Sequence, residues 1–196
     1  MANKTAHIVV VCGGSGSGKS VWTKRQIARE KRLLIWDVND EYQGQKVTTR
    51  AELVAAVRGP SNKPFKVRYV PPVVTPDEFS FWCEVAFVAG NAAIVAEETA
   101  DVTSPSKAPP GWGKVVRRGR HQRLKVYGIT QRPAESDKTI IGNATLIHCC
   151  MLKRADDRKY MAKEMGIAFD EVDRLKLLEW IEVNDHGQKK AGKLRF

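Results

Sequence analysis

The apolar run Ile8-Val9-Val10-Val11 leads without a break into Cys12-Gly13-Gly14-Ser15-Gly16-Ser17-Gly18-Lys19-Ser20, with Val21 next. Four β-branched residues in a row read as a buried strand, and the GxxxxGKS spacing after them reads as a phosphate-binding loop that opens a helix. The glycines let backbone N–H groups turn inward around phosphates, Lys19 reaches the outer phosphates, and the Ser20 hydroxyl suits Mg²⁺. Gly13, Gly14, Ser15, Gly16, Ser17, Gly18, Lys19, Ser20 and Val21 are therefore the expected nucleotide-binding residues, with ATP and Mg²⁺ as ligands.

Further apolar runs follow, at Arg32 to Trp36, Phe65 to Val70, Ala92 to Ala96, Leu124 to Thr130 and Thr145 to Met151, with helical patterns between them. This alternation predicts an α/β fold in which helices flank a central, mainly parallel sheet. Thr75-Pro76-Asp77-Glu78 supplies a cap, a first-turn proline and acids for a helix whose apolar stripe is Phe79, Trp82, Cys83, Ala86 and Phe87, and Gly90-Asn91 ends it. Residues 101–113 hold three prolines and two glycines and are expected to form one long irregular loop on the ligand side of the sheet. Near the end, Trp180 to Val183 and Lys193 to Phe196 flank Asp185-His186-Gly187, which predicts a small hairpin or edge element over about 178–196.

With 196 residues, 42% of them hydrophobic and 28% charged, residues 1–196 are expected to fold as one ordinary globular domain. Lysines and arginines number 33 against 22 acids, a net charge of +11 that favours a polyanionic partner such as nucleic acid. Cys12, Cys83, Cys149 and Cys150 form no CxxC pair and sit in apolar stretches, which fits a reducing cytoplasm. Met1-Ala2-Asn3-Lys4 has no apolar signal core, and the stretch Phe79 to Ala96 is interrupted by Glu84, Gly90 and Asn91, so no membrane span is expected.

Hydrolysis of a triphosphate needs an acid near Mg²⁺ and a group that orients water. Ala92-Ala93-Ile94-Val95-Ala96-Glu97-Glu98 places two carboxylates at a strand end; Glu97 is assigned to the metal shell and Glu98 to the attacking water. Leu124 to Thr130 runs into Gln131-Arg132-Pro133, which makes Gln131 a candidate γ-phosphate sensor. The segment 114–123 carries Lys114, Arg117, Arg118, Arg120 and Arg123 with His121, a cluster that faces water, DNA or the nucleotide of a neighbouring subunit. No companion His or Cys stands near His121 at metal spacing, which argues against a metal role for it.

These segments together resemble the HerA/FtsK superfamily of DNA-pumping ATPases, most closely the genome-packaging ATPases of tailless, membrane-containing viruses and phages. The resemblance runs through residues 13–20, Asp37-Val38-Asn39-Asp40-Glu41-Tyr42, residues 92–98, Arg120-His121 and Thr130-Gln131-Arg132-Pro133, and covers roughly residues 6–150. It implies a RecA-like P-loop NTPase fold, a homo-oligomeric ring, usually of six, with nucleotide between neighbours, and double-stranded DNA as cargo; the loop 101–113 with Lys107 and Trp112, or the patch around Arg117 and Arg118, is then expected to face that DNA. It further implies Lys19 and Ser20 on phosphate and Mg²⁺, Glu98 as catalytic acid, Gln131 as sensor, and Arg120, with Arg117 in reserve, as the arginine acting in trans. The family usually has Asp where this chain has Glu97, so Asp37 is a second candidate for the metal shell. The implied setting is the host cytoplasm or a packaging vertex with its capsid or viral membrane proteins. Two rival readings share the loop: a nucleoside or small-molecule kinase, and an assembly or secretion ATPase of the filamentous-phage type.

Overall fold

In the computed structural model, residues 6–195 are described; expectations resting on Met1-Ala2-Asn3-Lys4 and on Phe196 lie outside them. In chain order the elements are β1 (His7–Cys12), α1 (Lys19–Ile27), β2 (Arg32–Trp36), β3 (Gln45–Val47), α2 (Arg50–Val57), β4 (Phe65–Tyr69), α3 (Pro76–Ala89), β5 (Ala93–Ala96), α4 (Pro110–Arg118), β6 (Lys125–Thr130), α5 (Lys138–Gly142), β7 (Leu146–Cys150), α6 (Ala155–Met165), α7 (Phe169–Asp173), β8 (Glu179–Asn184) and β9 (Lys189–Lys193). Short 3₁₀ turns at Thr99–Asp101 and Gly119–Gln122 follow β5 and α4.

The strands form one nine-stranded sheet in the order β3-β4-β2-β5-β6-β1-β7-β8-β9. Pairs among β1 to β7 are parallel, and β8 and β9 add an antiparallel edge. This is the mainly parallel, RecA-like α/β arrangement anticipated above. Its strand order puts β6 between β1 and β5, and the register pairs Cys12 with Thr130 and Ala96 with Gly128. The phosphate loop, Gln131 and the acid pair Glu97-Glu98 thus leave the sheet side by side at one edge, where parallel sheets place their ligands.

Burial on both faces explains why the central strands read as unbroken apolar runs. In β2, Leu34 and Trp36 join a core under α2, α3, α4 and α6, with Phe79, Trp82 and Trp112, while Leu33 and Ile35 face Trp22, Ile27 and Leu194 on the other side. Thr75 caps α3 by accepting the Glu78 amide at 3.2 Å, and Pro76 occupies a first-turn position where its missing N–H costs no bond.

Three expectations need correction. Residues 101–113 are not one irregular loop, because α4 begins at Pro110. Proline is at home in a first helical turn, and Gly111 lets α4 approach α3 so closely that a Cβ there would lie 2.3 Å from the Ser80 carbonyl oxygen. Trp112, expected to face DNA, is fully buried; its indole Nε1 donates to Asp137 Oδ2 at 2.8 Å. The second hairpin strand is Lys189–Lys193; of the expected Lys193 to Phe196, Leu194 and Arg195 lie past its end and Phe196 lies outside the described residues. The turn is tighter than expected: Asn184 Oδ1 accepts the amides of His186 and Gln188, and Gly187 supplies a φ of 72°.

Candidate active site

A cleft of about 250 Å³ opens at the carboxyl ends of β1, β5 and β6, lined by Ser15, Gly16, Gly18, Lys19, Ser20, Val21, Asn39, Glu41, Glu97, Glu98, Gln131 and Leu178. The first intrahelical bond of α1 runs from the Trp22 amide to the Gly18 carbonyl, so the four preceding amides have no helical acceptor and are free for an anion. Gly18 has a φ of 101°, and a Cβ there would sit 2.3 Å from Leu194 Cδ1. Gly13 has a φ of 157°, and a Cβ there would meet Ser17 Oγ at 2.5 Å and Cys150 Cβ at 2.7 Å. Both positions therefore need glycine for space as well as conformation.

Lys19 is buried, and its Nζ donates to the Gly14 carbonyl at 3.1 Å. Burial pushes its pKa down, while the nearby Glu98 and Glu97 pull the other way. An ammonium held against its own loop, with carboxylates across the cleft, is poised to move onto an incoming phosphate.

Glu97 is 4% exposed and accepts a hydrogen bond from the Tyr42 hydroxyl. Burial pushes its carboxyl up to about 7, and the Tyr42 bond opposes that shift. Tyr42 is itself fixed: its amide donates to Asp37 Oδ2 at 3.1 Å, and Lys24 Nζ lies 4.9 Å from its ring centroid. The Asp37 carboxylate is fully buried and engaged by the Glu41 amide at 2.9 Å, the Tyr42 amide and the Arg68 guanidinium. It does not line the cleft, so its suggested share in the metal shell gives way to another job: shaping the turn that presents Asn39 and Glu41 to the cleft and Tyr42 to Glu97.

Glu98 accepts a hydrogen bond from Gln131 Nε2 at 2.6 Å. Its φ of 45° is a left-handed conformation that costs a residue with a Cβ on the order of 1 kcal/mol. Beneath the pair, Thr99 Oγ1 lies 3.3 Å from Ser136 Oγ, which lies 3.0 Å from Thr130 Oγ1, which accepts the Arg132 amide at 3.0 Å. This hydroxyl chain ties the end of β6 to the 3₁₀ turn after β5 and fixes where Glu98 and Gln131 meet.

The expected arginines lie elsewhere. Arg120 occupies the turn Gly119–Gln122 at the amino end of β6, and Arg117 lies in the last turn of α4; both are exposed and neither lines the cleft. Six residues of β6 separate Arg120's edge of the sheet from the cleft, about 17 Å at a strand's rise. Lys114 pairs with Glu84 at 2.6 Å and lies over the Phe87 ring, so it is tied to α3. Among the described residues no cluster of three or more His, Cys, Asp or Glu side chains is set up to hold a metal.

Asn39, Glu41 and Tyr42 carry no individual role in the sequence reading, although the spacing from Asp37 to Glu41 and Tyr42 is the reach of a side-chain-capped turn. Leu178, at a φ of 67°, has no signal there at all.

A curated relative, Protein P9 of Pseudoalteromonas phage PM2, is 31% identical over 176 residues, which cover 86% of this chain and 78% of the relative. The chain belongs to the Protein P9 family. No protein-family model matches it. The fold of this P9 relative is shared with the genome-packaging NTPase B204 of Sulfolobus turreted icosahedral virus 2, solved with AMPPCP, at a TM-score of 0.83 and 20% identity over 97% of this chain and 98% of that one. It is shared more distantly with the bacterial conjugative coupling protein TrwBΔN70, at a TM-score of 0.60 and 8% identity over 96% and 85% of the two chains. The chain thus has a P-loop NTPase fold. No helix among the described residues is long and apolar enough to cross a membrane.

Proposed function

We propose that residues 1–196 form one ATPase domain that drives double-stranded DNA into a viral capsid, working as a ring of identical subunits. The observation that carries the reading is the Gln131–Glu98 hydrogen bond of 2.6 Å, in the same cleft as Lys19 and Ser20. A sensor amide bonded to the water-activating carboxylate links the state of the nucleotide to the strand that holds it. The fold shared with the structure named genome packaging NTPase supports a viral genome as the cargo.

In this reading the unpartnered amides of residues 18–21 and Lys19 hold the triphosphate. The cleft suits Mg²⁺, because the hard oxygens of Ser20 and Glu97 both line it and Mg²⁺ takes one or two protein oxygens alongside phosphate. When bound, Mg²⁺ would offset charge on the phosphate oxygens. Glu98 orients water for in-line attack on the γ-phosphate, Gln131 holds Glu98 until the γ-phosphate competes for its amide, and Arg120 serves the cleft of the adjacent copy. The placement of Arg120 and Arg117 outside their own cleft supports action in trans. Exposed Lys107, Arg117 and Arg118 are the remaining candidates for DNA contact from the expected set.

The test is ATP turnover of purified protein with and without duplex DNA. Stimulation by DNA and its loss in Lys19→Ala support the reading; stimulation by a nucleoside instead would favour the kinase.

A further inference from the structure

At the amino end of the sheet, on the opposite edge from the nucleotide cleft, a concavity of about 400 Å³ gathers Arg29, Lys31, Arg32, Arg123 and Lys125 around a single acid, Glu30. The cleft chemistry uses none of them. Arg32 is buried and satisfied by carbonyls, among them Asn91 O at 3.0 Å and Ala89 O at 3.0 Å, so it forms the floor. Lys125 pairs with Glu30 at 2.6 Å. Arg29, Lys31 and Arg123 are exposed and make no ion pair among the described residues. Arg123 is placed by a φ of 55° at the end of the turn Gly119–Gln122, where its amide bonds the Arg120 carbonyl at 3.1 Å.

Like charges held in one concave site repel each other unless an anion or water screens them, and a concave wall concentrates their field. Arg117, Arg118 and Arg120, in α4 and the turn that ends at Arg123, are exposed as well, so cationic side chains recur along the chain from Arg117 to Lys125 rather than standing at one spot fitted to a small ion. Such a series matches a repeating phosphate backbone.

Building on the DNA-motor reading, we propose that this pocket binds the phosphate backbone of duplex DNA, through Arg29, Lys31 and Arg123. The turn that presents Arg123 to DNA is the one that presents Arg120 to the neighbouring subunit. A backbone phosphate entering or leaving the pocket would therefore shift the trans arginine three residues away, and DNA would stimulate hydrolysis through that turn.

The experiment measures duplex affinity across a salt series, together with ATP turnover, for wild type, for Arg29→Ala/Lys31→Ala/Arg123→Ala, and for Lys159→Ala/Lys163→Ala/Lys176→Ala as a charge-matched control. If each of the three contacts one phosphate, the slope of log affinity against log salt shrinks by about 3, with affinity at 0.15 M salt down roughly tenfold or more. DNA-free turnover stays at the wild-type level and its stimulation by DNA is lost, while the control changes little. A slope unchanged in the pocket variant, or equally reduced in the control, overturns the pocket and leaves the motor reading standing. A wild type with no duplex affinity overturns both.

Discussion

Tyr42 is the side chain on which the acid pair depends. Glu97 reaches one methylene further than an aspartate would, and the Tyr42 hydroxyl holds that longer carboxylate in place while favouring its ionised form. Tyr42→Phe keeps the ring and removes the donor, so it should raise the Mg²⁺ concentration needed for half-maximal turnover several-fold with little loss of fold stability. A Mg²⁺ titration of ATPase activity reads this, and an unchanged midpoint would remove Tyr42 from the site. The titration of Glu97 carries its own sign. Its carboxyl is pushed up to about 7 in the fold, so the folded state holds this proton more tightly than the unfolded chain does. Its contribution to stability is complete at acid pH and is lost as pH climbs from the ordinary carboxylate range to 7, by up to about 1.4 kcal/mol for each pH step crossed. The nucleotide-free protein should accordingly lose more Tm between pH 5 and 7.5 than Glu97→Gln does, since the amide cannot ionise. Glu98→Gln should cut turnover roughly a hundredfold or more while nucleotide binding persists, because it removes the group that orients water. Equal loss of both would make Glu98 a binding residue instead.

The helices and turns divide by how local their causes are. Strands β1 and β2 fall where the sequence puts them, because residues buried on both faces leave an unbroken apolar run, and α3 starts at its Thr75-Pro76 cap. Helix α4 is hidden in the sequence because prolines and glycines weigh against any regular element when counted. Its glycine at 111 is there to bring it against α3, a tertiary reason that no local pattern records. The same applies to β3, three residues long, and to Leu178, which joins the cleft wall through a strained backbone. In the site, the loop, the acid pair and Gln131 were legible because each follows an apolar run. The task of Asp37 was not, because a carboxylate at a strand end looks the same whether it faces a metal or its own turn. Gly111→Ala would press a Cβ against the Ser80 backbone and should cost about 1 to 3 kcal/mol in a denaturant titration. A loss near zero would mean that α3 and α4 part more easily than their packing implies.

The whole molecule has two working edges. The cleft sits at the carboxyl end of the sheet, and Arg120 and the basic pocket sit at the amino end, about 17 Å of strand away. A single copy therefore holds both halves of the proposed catalytic centre but cannot bring them together. Copies arranged head to tail in a ring can, because such contacts are heterologous and close by rotation. The direct measurement mixes two variants, each inactive alone for a different reason: Lys19→Ala, which cannot hold the triphosphate, and Arg120→Ala, which cannot complete a neighbour's cleft. In a ring, an equal mixture makes complete junctions wherever an Arg120→Ala copy binds nucleotide beside a Lys19→Ala copy, about a quarter of all junctions if subunits assemble at random. DNA-stimulated ATP turnover should return in the mixture to roughly that fraction of wild type, if junctions act independently. A mixture that stays as inactive as its parts, or an Arg120→Ala protein that hydrolyses ATP at the full rate on its own, would contradict catalysis shared between subunits.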